Sequence, residues 1–158
     1  MPVRYRRSGN YMNELIATLK ELLASTVALK FKAHGYHWNI EGDDFPQFED
    51  IYESLDDSID PLAEWIRILG DYAPFKLTRF AELSTIPETG VSSDPMSMAA
   101  DLLNDHIASA AAFGAASAAA AAAGQKGLEN FLADCQATHQ KWVWQLRVSV
   151  KPEAPEAE

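Results

Sequence analysis

Between His34 and Gly70 the chain reads HGYHWNIEGDDFPQFEDIYESLDDSIDPLAEWIRILG, and this stretch limits the fold more than any other. On a wheel of about 100° per residue, Phe48, Tyr52, Leu55, Ile59, Leu62, Ile66 and Leu69 fall on one apolar stripe. The stripe predicts a helix over residues 44–70 with one face in a core. Glu49, Glu53, Asp56, Asp57, Asp60 and Glu64 gather on the neighbouring flank, three or four residues apart. Like charges at that spacing repel by roughly 0.2–0.5 kcal/mol per pair. No Lys or Arg stands between Lys32 and Arg67, so neutralisation of this flank comes from outside the helix, if only from water and salt.

The other helices follow the same periodicity. Met12, Leu15, Ile16, Leu19, Leu22, Leu23, Val27, Leu29 and Ala33 predict a first helix over residues 11–39, with Gly42 as its stop. Asp43 or Asp44 is expected to cap the second helix, Gly70 to end it, and Pro61 to kink it or loosen a turn near Asp57. Residues 71–95 hold three prolines and several turn formers and read as a long connection, within which KLTRFAEL suits two helical turns able to cover an interface. Asp94 and Pro95 open a third long helix as N-cap and first helical residue. Its second half, residues 108–124, is nearly all alanine. Alanine is barely apolar and Gly and Ser interrupt the run, so close backbone packing explains it better than a membrane span. Residues 124–127 make a turn before a last helix that carries Phe131, Leu132, Cys135, Trp142, Val143, Leu146 and Val150 on or near one side.

Four long helices joined by a short, a long and a short connection describe an all-α, ferritin-like four-helix bundle whose one long crossover carries a short extra helix. The bundle spans residues 11–150, a single domain for a chain of 158 residues. Residues 1–10, with Arg4, Arg6 and Arg7 ahead of a Ser-Gly-Asn breaker, read as a basic flexible arm, and residues 151–158 as an acidic disordered tail.

Composition narrows the chemistry. Cys135 is the only cysteine, which excludes a disulfide framework and the cysteine-rich zinc patterns and suits a reducing cytoplasm. The N-terminus has no apolar core of a signal peptide. A net charge of −10 disfavours nucleic acid and anionic membranes as partners of the body of the protein and suits a cation. His34 and His37 share one helical face, and Asp60 and Glu64 another, each pair about one turn apart. Imidazole and carboxylate are the ligands of iron, manganese or zinc. A di-iron site inside a ferritin bundle needs inward Glu-x-x-His pairs, and no Glu-x-x-His occurs here. Cys135 has no sequence context that activates it, and His106 and His139 read as packing or surface residues.

AHGYHWNIEG, DPLAEWIRILG, YAPFKLTRFAEL and THQKWVWQLR resemble the mini-ferritins, the Dps family named as DNA-binding proteins from starved cells. The resemblance covers residues 12–150, and its specific parts are His-Trp-Asn-x-x-Gly and Asp-x-x-x-Glu. It implies a hollow homo-oligomer, a dodecamer, with a di-iron site between two subunits, so that each bundle interior can stay apolar. His37 matches the first-helix ligand of one subunit, Asp60 and Glu64 the ligands of the other, and Trp38 the aromatic that takes up an oxidising equivalent beside the iron.

One departure stands out. The family usually carries a second histidine early in the second helix and an acid one turn later, but here the segment between His37 and Asp60 is about four residues short, close to one helical turn. Glu49 then stands for the missing histidine with Glu53 as the acid, or Glu49 stands for the acid itself. The resemblance implies binding and oxidation of Fe(II), with peroxide or oxygen as oxidant, storage of ferric iron, and protection against oxidative damage. Glu129 and Asp134 are candidates for an acidic pore. A shell without ferroxidase activity, structural or DNA-associating, is the alternative. DNA is a conceivable partner through the arm but is not favoured, and no membrane partner is expected.

Overall fold

The computed structural model describes residues 3–42, 47–90, 92 and 94–150, with side chains from residue 9 onward. Five helices follow one another: α1 (Val3–Asn39), α2 (Phe48–Ile68), α3 (Leu77–Leu83), α4 (Pro95–Ala122) and α5 (Lys126–Val150). Contacts give the directions. Tyr36 meets Phe48, Lys30 meets Asp56 and Lys20 meets Asp71, so α1 and α2 are antiparallel. His106 meets His139 and Ser117 meets Glu129, which makes α4 antiparallel to α5. Tyr36 with Asp101 and Lys32 with Asp105 set α1 antiparallel to α4. Helices α2 and α4 therefore run the same way, and residues 69–94 must return along the whole bundle. This is the ferritin-like crossover, with α3 lying against α1.

The helix ends follow local chemistry. At Gly70 (φ 100°) the amides of Gly70 and Asp71 bond back to the carbonyls of Arg67 and Ile66. At Gly124 (φ 72°) the amides of Gly124 and Gln125 bond to Ala121 and Ala120. Both are Schellman closures, in which a left-handed residue satisfies two orphan carbonyls. Asp94 Oδ1 accepts the Met96 amide at 3.3 Å, and Pro95 occupies the first turn.

Two expectations change. Helix α1 begins at Val3 and runs through Ser8, Gly9 and Asn10, where local composition predicts a break. Weak helix formers cost about 1 kcal/mol or less each, and a long preformed helix propagates across them. The residue preceding α2 is Gln47, left-handed at φ 68° and without a side-chain cap bond, while Asp43 and Asp44 lie outside the described residues. Residues 151–158 lie outside them too. Pro61 sits inside an α2 that runs from Phe48 to Ile68, and lacking an N–H it leaves the Asp57 carbonyl without that helical partner.

The core has two apolar halves. One gathers Leu15–Val27 of α1, Leu62 and Ile66, Phe113–Ala120 of α4 and Leu128–Cys135 of α5. The other gathers Leu29–Tyr36, Phe48–Leu55, Met98–Leu102, Trp142 and Leu146. Between them, at mid-bundle, Thr26, Asp105, His106, Ser109 and His139 are buried polar residues. The interior that the resemblance allowed to be apolar thus carries a polar belt. Among the described residues, no helix is long and apolar enough to cross a membrane.

Candidate metal centre

The last turns of α1 project His34, His37 and Trp38 toward the start of α2. His34 stacks on Tyr52 with ring centroids 4.0 Å apart and also meets Trp38 at 4.2 Å. His37 meets the edge of the same Tyr52 ring at 5.9 Å. Trp38 is 63% exposed, unusual for an indole in a folded chain. Tyr52 is fixed because the α2 stripe buries Phe48, Ile51 and Leu55 on either side of it.

Glu49 and Glu53 stand on the turns flanking Tyr52, both exposed. Asp60 and Glu64 are exposed on the same helix, beyond Pro61. From Tyr52 to Asp60 the helix rises about 12 Å, at roughly 1.5 Å per residue. A single chain thus brings His37 to the early turns of α2 and leaves Asp60 about two turns and Glu64 about three turns away. Among the described residues no three of His, Cys, Asp and Glu converge as a metal site. Lys30 of α1 pairs with Asp56, supplying one cation to the acidic flank from outside. No ion pair among the described residues reaches Glu49, Glu53, Asp60 or Glu64. The donors fit a hard or borderline cation: open carboxylates, with an imidazole nearby on α1.

The ferritin-like domain family matches residues 16–151. The DNA protection during starvation protein of Helicobacter pylori is 32% identical over 133 residues, which span 81% of this chain and 92% of that protein. The chain belongs to the Dps family of ferritin-like proteins. A Dps protein from Bacillus brevis superposes with a TM-score of 0.85 at 25% identity, covering 90% of this chain and 98% of that one. The Dps protein of Vibrio cholerae, described as a member of a broad superfamily of ferritin-like diiron-carboxylate proteins, gives 0.84 at 27% identity, covering 90% and 92%.

This Dps-family chain also carries buried polar groups, among them His106 and His139, which take the packing role of the two expected for them rather than the surface one. His106 and His139 face each other with Nδ1 atoms 2.8 Å apart. Burial holds their imidazoles far below the usual range, His106 to about 3 with further repulsion from His139, and His139 to about 4. Their register was the available signal: His106 follows Leu102 by four residues and His139 follows Cys135 by four, which puts both on core stripes. Beside them Lys32 Nζ lies 2.7 Å from Asp105 Oδ2, with both side chains almost fully buried, and burial raises the Asp105 carboxyl despite the lysine. The Tyr36 hydroxyl donates to Asp101 Oδ2 at 2.7 Å and sits 2.6 Å from Thr89 Oγ1, and burial raises its pKa. These bonds tie the crossover and α4 to α1 behind the His37 face. Cys135 is buried, and its thiol is pushed up to about 12, so it is no nucleophile.

Proposed function

We propose that the protein is a mini-ferritin whose substrate is Fe(II). Its oxidation site is shared between two subunits, with His37 from one and Asp60 and Glu64 from the other. Glu49 takes the place of the histidine that the shortened segment lacks, with Glu53 as the acid one turn later. The observation that carries this reading is the separation within one chain: His37 meets α2 near Tyr52, while Asp60 and Glu64 stand exposed about 12 and 18 Å further along the helix. Ligands so divided, with no described ion pair to the carboxylates, suit completion by a second copy.

The chemistry follows from the donors. Carboxylates hold Fe(II) and hold Fe(III) more strongly, since the ferric ion is harder, so the ligand set favours the oxidised product. Two Fe(II) ions each give one electron to hydrogen peroxide, yielding two Fe(III) ions and two hydroxides. Consuming iron and peroxide together withholds both ingredients of radical formation, which is the protective effect. Trp38, exposed at the site, is positioned to give up an electron to a stray oxidant. Glu129 and Asp134 would line an acidic pore for entering cations, with Glu129 paired to Lys126 in this chain.

A homo-oligomeric shell, a dodecamer, supplies the second subunit and the storage space. Phe31, Tyr72, Phe75 and Leu77 are exposed around α1 and α3, and a groove of about 560 Å³ between these elements is lined by Val27, Phe31, Leu77, Phe80 and Ile86. An apolar surface of this kind favours burial against another chain. The missing histidine favours a second reading, a shell without oxidase activity. Anaerobic Fe(II) followed by peroxide separates the two: ferric absorbance should rise faster than in buffer and return to the buffer rate in Glu64→Ala. A wild-type rate equal to buffer overturns the oxidase.

A further inference from the structure

The mid-bundle belt contains a feature that iron oxidation at α1 and α2 does not use. The His106 and His139 rings lie 5.0 Å apart with their Nδ1 atoms at 2.8 Å, and Phe113 stacks on His139 at 5.1 Å. His106 has no exposed surface, and its Nε2 has no hydrogen-bond partner among the described residues. An unsatisfied buried polar atom costs on the order of 1–3 kcal/mol, so two histidines are a costly way to fill a core position. Both imidazoles are uncharged at neutral pH, the state in which the ring nitrogens bind metals.

The surroundings select the metal. The adjacent carboxylate, Asp105, is engaged by Lys32. The pair is therefore a nitrogen site without an available carboxylate, which suits borderline and soft ions over hard ones. A cleft of about 200 Å³ between α2 and α5 reaches His139 and is also lined by Ser54, Asp57, Asp134 and Cys135. Asp57 and Asp134 are exposed and attract a cation toward it. Two nitrogens bonded tetrahedrally to Zn²⁺ at about 2.0–2.1 Å stand roughly 3.3 Å apart, so a small ring rotation converts the hydrogen bond into a chelate.

We propose that His106 and His139 form a second metal site, one per chain and separate from the iron site, that binds a d¹⁰ ion, Cu⁺ or Zn²⁺. Cu⁺ is the tighter of the two, because burying one charge costs less than burying two and because the thiol of Cys135 lines the approach. The metal replaces the proton shared by the two Nδ1 atoms, and the ring that held it carries its proton on Nε2 instead. This assignment stands whether or not the iron site is active.

The test uses the full-length protein carrying His37→Ala, Glu49→Gln, Glu53→Gln, Asp60→Asn and Glu64→Gln, which removes every ligand of the proposed iron site. It is titrated anaerobically with Cu⁺ against a chromophoric chelator and, separately, with Zn²⁺. The expected result is one ion per chain, with affinity falling at least tenfold in His106→Phe and in His139→Phe. Crystals of the background protein loaded with each metal should show an anomalous peak between the two imidazoles, a readout that needs no core variant to fold. Unchanged affinity in folded variants, or no peak at that position with either metal, overturns the proposal.

Discussion

The imidazole of His34 lies stacked on Tyr52, 4.0 Å between centroids and 23° between planes, and so fastens the end of α1 to the second turn of α2. His37, one turn later on α1, meets the edge of the same Tyr52 ring at 5.9 Å, so the stack is expected to help orient it. An aromatic pair contributes roughly 0.5–1.5 kcal/mol beyond the area it buries. His34→Ala is expected to lower stability by about that amount, measured by urea unfolding. It should also slow peroxide-driven iron oxidation several-fold and change the fluorescence of Trp38. A wild-type oxidation rate in His34→Ala shows that the stack does not position His37.

If the oxidation site is shared, His37→Ala and Glu64→Ala proteins each lack activity because every site in a uniform shell loses a ligand. Dissociated, mixed and reassembled, the two should regain a fraction of intact sites, read as ferric absorbance. Correctly assembled mixtures that stay inactive contradict sharing.

The buried histidine pair predicts how stability depends on pH. In the unfolded chain both imidazoles titrate near 6.5, whereas in the folded protein they titrate at about 3 and about 4. Between pH 6.5 and about 4 the unfolded chain binds more protons, so stability falls as pH drops, at a slope on the order of 1–3 kcal/mol per pH unit for two groups. Asp105, raised by burial, acts with the opposite sign above the ordinary carboxylate range and offsets part of the loss. The urea midpoint should be lower at pH 5 than at pH 7, and less pH-dependent in His106→Phe. A wild-type midpoint that is flat across this interval excludes the linkage.

The proposed shell is expected to bury the apolar groove between α1 and α3. Leu77 is 72% exposed in the isolated chain and Phe31 54%. Leu77→Asp places a charge where a second chain would cover it, and light scattering should show the variant shifted to smaller species. Wild-type protein that is monomeric at micromolar concentration contradicts the shell itself.

DNA is not a favoured partner, and any association would have to come from Arg4, Arg6 and Arg7 at the start of α1 against an acidic body of net charge −10. Each phosphate contact weakens with salt, and display on many subunits raises avidity by roughly 10²–10⁴. A gel shift is expected to show weak binding at low salt, lost at physiological salt and lost on removal of residues 1–8. Tight, salt-insensitive binding that survives the truncation contradicts a role for these arginines.

The helical fold was legible because periodicity is a local property. The stripe through Phe48, Leu55, Leu62 and Ile66, the Asp94–Pro95 start and the Gly70 stop are each written within a few neighbouring residues, and all three appear in the structure. Ile51, fully buried, belongs to the same stripe, since at about 100° per residue it falls at the azimuth of Leu69. The start of α1 was not legible in this way: Ser8, Gly9 and Asn10 have poor local propensity, and helix propagation overrides it.

By itself the sequence determined the helix count, the crossover and the position of every acid on the α2 flank, since each follows from spacing along one chain. Only the tertiary structure decided what the polar residues face. His106 and His139 are 33 residues apart in sequence, and their 2.8 Å contact exists because α4 and α5 pack antiparallel in one register. Lys30 reaches Asp56, and Lys32 reaches Asp105, for the same reason. Spacing along a helix sets which face a side chain takes, whereas helix packing sets which partner that face meets, and the chemistry of a buried group depends on the partner.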